Sequence, residues 1–156
     1  MRLPTVLLIA FVAIATTAVS ATSALERTQG AVGLELRSGR GRAVVKSQGF
    51  FFGRVRRGRI VATENVTLRN CNRREKSEST GLVTCRGRHL RFLTAKSPWK
   101  VVLRGRGINA SGVVRGCLVL DGADSGDTGE YKIGDENEFK PWPRTRWQHV
   151  LGPGKC

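Results

Sequence analysis

Apolar and polar residues alternate with a period of two in short runs along most of this chain. Leu34 and Leu36 alternate with Glu35 and Arg37, and Val66 and Leu68 with Thr67 and Arg69. Leu90 and Phe92 alternate with His89 and Arg91, and Leu118 and Leu120 with Val119 and Asp121. A period of two puts one set of side chains on one face of a β-strand and the other set on the opposite face. Glycine breaks these runs about every ten residues, the spacing of short strands joined by turns. The pattern predicts strands over roughly 32–37, 42–47, 50–56, 59–63, 65–69, 81–85, 88–94, 99–104, 108–114, 117–121, 129–133 and 147–151, and so an all-β fold: a small sandwich or barrel of short antiparallel strands. Phe50-Phe51-Phe52 is expected to be a strand segment buried on both faces.

A weak internal repeat runs through this pattern. Residues 42–63 align without gaps to residues 100–121, with Val44/Val102, Gly49/Gly107, Val55/Val113, Arg57/Arg115, Gly58/Gly116 and Val61/Val119 identical. The shared order of apolar run, Gly, strand, Arg-Gly and strand predicts two copies of a strand-turn-strand unit packed with pseudo-symmetry. Gly58 and Gly116 are expected at tight turns or bulges, where φ is positive.

The N-terminus follows a different pattern. Arg2 precedes a continuous apolar run from Val6 to Ala15, and Val19-Ser20-Ala21 has the small-residue form of a cleavage site. This is the order of a secretory signal. It predicts loss of residues 1–21, with an alternative cut after 24, leaving 22–156 as one domain. The competing reading is an uncleaved anchor. Leu3 to Leu25 carries no charge and is long enough to span a bilayer, but its second half is Ala, Thr and Ser, which partition weakly into hydrocarbon. Membrane contact is expected only through the precursor signal, and the location is secreted or at the cell envelope.

Charge changes the picture most. The chain has 27 Lys and Arg against 12 Asp and Glu, a net charge of +15. Losing Arg2 with the signal leaves +14. The acidic groups concentrate after residue 120. Such an excess attracts anionic polymers, although solubility alone also favours a charged surface. Arg54, Arg56, Arg57, Arg59, Arg86, Arg88, Arg104 and Arg106 are the polyanion-binding candidates, and the expected partner is an anionic cell-envelope polymer. Export argues against an intracellular nucleic acid. No cofactor is implied, and the sequence carries no signal for an oligomeric state.

The four cysteines, Cys71, Cys85, Cys117 and Cys156, all lie in the exported part. An even count in an oxidising compartment favours disulfides, and the absence of a C-x-x-C pair argues against zinc. Cys71 and Cys85 bracket a very polar stretch that reads as a loop with its ends close together. That points to Cys71–Cys85, with Cys117–Cys156 pinning the C-terminus.

Two cysteine contexts invite an enzymatic reading. Leu82-Val83-Thr84-Cys85 resembles the cysteine motif of sortases, with Arg86, Arg88 and Arg91 as arginine candidates. The histidine that such chemistry needs upstream is missing, since His89 and His149 both follow Cys85. Arg115-Gly116-Cys117-Leu118 is similar to the cysteine motif of L,D-transpeptidases, but Arg115 stands where that family has histidine. No complete catalytic set is present. The acidic run Asp121, Asp124, Asp127 and Glu130 reads as a solvated loop, its spacing not being that of an EF-hand. Trp142, between Pro141 and Pro143, is either an exposed stacking platform or a lid on one end of the core.

Leu90 to Gly122, together with the closing segment from Lys140 to Gly152, resembles small exported all-β proteins of actinobacteria with no assigned activity. The resemblance implies a fold and an exported location, and no site. The resulting expectation is an exported, non-enzymatic β domain binding anionic polymers by charge. The alternatives are a sortase-like cysteine enzyme of the envelope and a carbohydrate-binding module.

Overall fold

The computed structural model describes residues 30–94, 98–153 and 156. The expected signal segment, with both of its cleavage sites, lies outside them. The described residues form eight strands: β1 Val32–Ala62, β2 Val66–Arg69, β3 Arg73–Lys76, β4 Val83–Thr94, β5 Trp99–Gly122, β6 Glu130–Ile133, β7 Lys140–Pro141 and β8 Trp147–Leu151. All pair antiparallel in one open sheet of order β2-β4-β1-β5-β8, with β3 added to β4 and the β6–β7 pair added to β1. The all-β antiparallel expectation holds.

Strand length differs from the expectation. Four predicted strands fuse into the 31 residues of β1, and three fuse into the 24 of β5. The reason lies in the glycines, which bend strands here instead of ending them. A Cβ on Gly58 would sit 2.0 Å from the Arg104 carbonyl oxygen, and one on Gly116 would sit 2.3 Å from that of Lys46. Gly58 and Gly116 are equivalent in the internal repeat, and so are Lys46 and Arg104. The two copies therefore exist as matching bends in two paired strands, not as strand-turn-strand units. Only glycine permits such an approach at φ values of 153° and 156°.

The long strands pair with each other twice. Arg104 stands opposite Arg42 on one edge of β5 and opposite Arg59 on the other. A strand that meets the same partner on both edges must curve round on itself, so the β1–β5 ribbon rolls up. The inner face of the roll holds one hydrophobic cluster, including Leu34, Val45, Phe51, Ile60, Leu90, Leu103, Ile108 and Leu118. Phe51 stacks on Trp99 with ring centroids 5.7 Å apart.

The polar stretch after Cys71 is a hairpin rather than a plain loop, because β3 pairs with the start of β4. Both expected disulfides form, Cys71–Cys85 with Cα atoms 5.2 Å apart and Cys117–Cys156 with Cα atoms 5.0 Å apart. The first clamps this hairpin and the second ties Cys156 to β5, in accord with an oxidising compartment. Among the described residues no helix is long and apolar enough to cross a membrane.

The Phe50-Phe51-Phe52 expectation is corrected. Phe51 is fully buried, but Phe50 and Phe52 are 52% and 47% exposed. The sheet covers one face only, so period two turns alternate phenylalanines into water.

Candidate functional site

The tripeptide Arg-Gly-Arg occurs four times, at 40–42, 57–59, 86–88 and 104–106. The fold brings all four into register. Gly58 stands opposite Gly105 and Gly87, and Gly105 stands opposite Gly41. Arg57 is flanked by Arg106 and Arg88, and Arg59 by Arg104 and Arg86. Arg40 and Arg42 complete the rows beside Arg106 and Arg104, and Arg73 of β3 extends the second row beside Arg86. Residues directly opposite across antiparallel strands project from the same face. The result is two parallel rows of arginine with a row of glycine between them. Neighbours are about 5 Å apart across strands, and the rows are about 7 Å apart along them.

The glycine row is a packing requirement. A Cβ on Gly105 would lie 2.2 Å from the Arg57 carbonyl oxygen. The backbones approach so closely there that no side chain fits. Arg40, Arg57 and Arg106, from three adjacent strand segments, line a hollow of about 460 Å³ with Gly105 beneath and Ala123 at its edge.

All eight arginines of the two main rows are exposed or half-buried. Among the described residues none of them makes an ion pair within 4 Å. The ion pairs present lie elsewhere, such as Arg37–Glu35 at 2.8 Å and Lys140–Glu136 at 2.5 Å. Asp121 stands opposite Arg42 in the register without closing to an ion pair. The acidic loop after Asp121 borders the Arg40 end, where the Arg40 backbone N–H donates to the Thr128 carbonyl at 2.9 Å. Arg144 steadies that loop by donating to the carbonyls of Asp124 and Gly126, both at 2.9 Å. Like charges directly opposite on neighbouring strands are destabilising. The ladder therefore works against the fold, which is what a surface shaped for an external anion would do.

Six of the eight arginines expected from sequence fall in these rows. Arg54 sits one row further along β1, opposite Arg91, which itself stands opposite Arg69 of β2. Arg56 is exposed just outside the Arg57 row, off the paired register, and packs against Gly107, where a Cβ would lie 2.6 Å from its own. Arg40, Arg42, Arg69, Arg73 and Arg91 are not among the polyanion-binding candidates read from the sequence, and Arg91 enters there only beside Cys85. The recurrence of Arg-Gly-Arg is the signal in the sequence that points to the first two.

Other candidates resolve differently. Trp142 is only 2% exposed, so it offers no face for stacking a ligand, and the platform reading is corrected. Its ring covers Gly39, where a Cβ would lie 2.3 Å from Cζ2, and its indole N–H donates to the Glu130 carbonyl at 3.0 Å. It closes one end of the core. Cys85 and Cys117 are half-cystines, so neither carries the thiolate that a sortase-like or transpeptidase-like step requires. His149 stacks on Trp147 at 5.2 Å. The acidic run forms no metal-binding cluster among the described residues. The hydrogen bond from Lys140 holds the Glu136 carboxyl below its ordinary range, on an exposed pair beside β7. No family model matches this chain, and neither the curated proteins nor the solved structures give a match.

Proposed function

We propose that the protein is an exported, non-enzymatic β domain that binds anionic polymers by charge, at the cell envelope or outside the cell. The stacking of four Arg-Gly-Arg tripeptides on adjacent strand segments carries this reading. The sheet fixes the Cα atoms of these arginines about 5 and 7 Å apart, which concentrates guanidinium groups where successive anionic groups of a polymer can meet them. Each guanidinium presents a planar fork of donors suited to phosphate, sulfate or carboxylate. The apolar N-terminal run, the two disulfides and the net charge of +15 support the exported location and the class of partner.

Binding driven by counterion release weakens steeply with salt. With about six contacts, affinity for inorganic polyphosphate should fall about a thousandfold between 50 and 200 mM salt. Replacing Arg57, Arg59, Arg104 and Arg106 with Gln should cut both the affinity and the slope of log K against log salt. Polyphosphate binding that is indifferent to salt, or unchanged by these four replacements, would overturn the reading.

A further inference from the structure

The arginine rows adjoin a trough of about 960 Å³ that crosses the outer face of the sheet from β1 and β5 to β4 and β2. Its two sides differ in chemistry. On one side lie Phe50, Phe52 and Leu93, with Phe52 opposite Leu93, 38% exposed; Val113, 45% exposed and opposite Phe50, is not part of the trough wall. Phe50, Phe52 and Leu93 make up one apolar patch, with the Phe50 and Phe52 rings 5.5 Å apart and tilted by 47°. One step along each strand lies the other side, where Arg54, Arg91 and Arg69 stand in register across three strands. The Glu35 carboxylate at the far end is held by Arg37 at 2.8 Å and by Lys132 at 3.8 Å.

We propose that this trough binds single-stranded nucleic acid outside the cytoplasm, a proposal that rests on the polyanion reading and narrows it. The apolar pair Phe52–Leu93 runs across β1 and β4 beside the basic pair Arg54–Arg91, which Arg69 of β2 extends, and Phe50 lies behind Phe52 along β1. Flat apolar groups beside positive charge match exposed bases beside a phosphodiester backbone. A base laid on Phe52 puts its phosphate beside Arg54 and Arg91, a second base stacks on Phe50, and the Arg-Gly-Arg rows lie further along β1. Stacking on aromatic side chains beside a basic groove is how sequence-tolerant single-strand binding works. Three competitors fit less well. A duplex keeps its bases stacked inside, out of reach of the phenylalanines. A polyphosphate or sulfated glycan engages the arginines and leaves the apolar side in water. A flat bilayer meets a convex apolar surface, whereas Phe50, Phe52 and Leu93 line a trough.

The test compares a short fluorescent oligothymidylate, its duplex and an inorganic polyphosphate of equal charge, by anisotropy at fixed salt. Alanine at a base-stacking aromatic costs about 1–3 kcal/mol, or about 5- to 150-fold in affinity. The Phe50→Ala/Phe52→Ala double variant should lose oligothymidylate by that factor and hold polyphosphate within about twofold, which also shows that it is folded. Phe50→Tyr/Phe52→Tyr should restore oligothymidylate binding. The inference is overturned if the alanine variant binds oligothymidylate like the parent. It is equally overturned if duplex or polyphosphate binds the parent as tightly as the single strand, or if the variant loses anionic vesicles instead. If neither oligothymidylate nor polyphosphate binds the parent in a salt-dependent way, the broader polyanion reading falls with it.

Discussion

Removing one charge from the centre of the arginine ladder should make the protein more stable, against the usual direction of surface substitutions. Arg59 is half-buried between Arg86 on β4 and Arg104 on β5. Arg59→Gln keeps part of the aliphatic stem and deletes the charge, relieving two like-charge pairs. Cross-strand pairs contribute about 0.2–1 kcal/mol each, so the expected gain is about 0.5–2 kcal/mol at low salt. At 1 M salt the screening length is about 3 Å, shorter than the cross-strand separation of about 5 Å, and most of the gain should vanish. The assay is urea unfolding at low and high salt, read as the midpoint at constant slope. Arg74→Gln serves as the control, since Arg74 stands opposite Cys85 and lies outside the ladder. Its effect should stay within about 0.5 kcal/mol. Destabilisation by Arg59→Gln at low salt, or the same shift at both salts, would refute the claim that these guanidinium groups repel one another in the free protein. The same variant should also bind polyphosphate more weakly, so that stability and affinity move in opposite directions.

Two further outcomes follow from the fold. Reducing both disulfides should lower Tm without changing the far-ultraviolet spectrum of the native state. In the chain-entropy account, the separations of 14 and 39 residues contribute about 3 and about 4 kcal/mol. A Tm that survives reduction would show that the roll needs neither clamp. Gly58→Ala combines a strained backbone with a Cβ 2.0 Å from a carbonyl oxygen, whereas Gly81→Ala meets nothing within 4 Å. The first should cost more than about 3 kcal/mol and the second about 1 kcal/mol, compared by chemical denaturation. Equal losses would mean that the close approach of β1 and β5 is not a constraint.

Period-two alternation alone was enough to identify an all-β chain and to say which residues face inward. Leu90, Leu118 and Leu120 are fully buried and Phe92 almost so, as their spacing requires. Alternation is a local property, set by the geometry of one strand, and so it survives any arrangement of partners. The disulfide pairing was legible for a similar reason: a polar stretch between two cysteines closes on itself whatever surrounds it. Charge was legible in amount and in rough position, and six of the eight arginines chosen from sequence do meet in the ladder.

What sequence did not decide is everything that depends on one strand meeting another. The glycines at 58 and 116 read as turns or bulges, because a turn and a bend within a strand make the same local demand on φ and differ only in what the next strand does. Phe50 and Phe52 read as buried because nothing local says that the sheet is covered on one face only. Trp142 read as a platform or, in preference, as a lid, and the packing of Gly39 beneath its ring decides for the lid. Four Arg-Gly-Arg tripeptides, scattered over 67 residues from Arg40 to Arg106, are visible to anyone who counts them. That they form one surface follows only from the registers that pair β1 with β5 twice and with β4 once. Register is settled by the summed fit of a buried face across distant segments, and a one-residue slip would send every guanidinium to the other side.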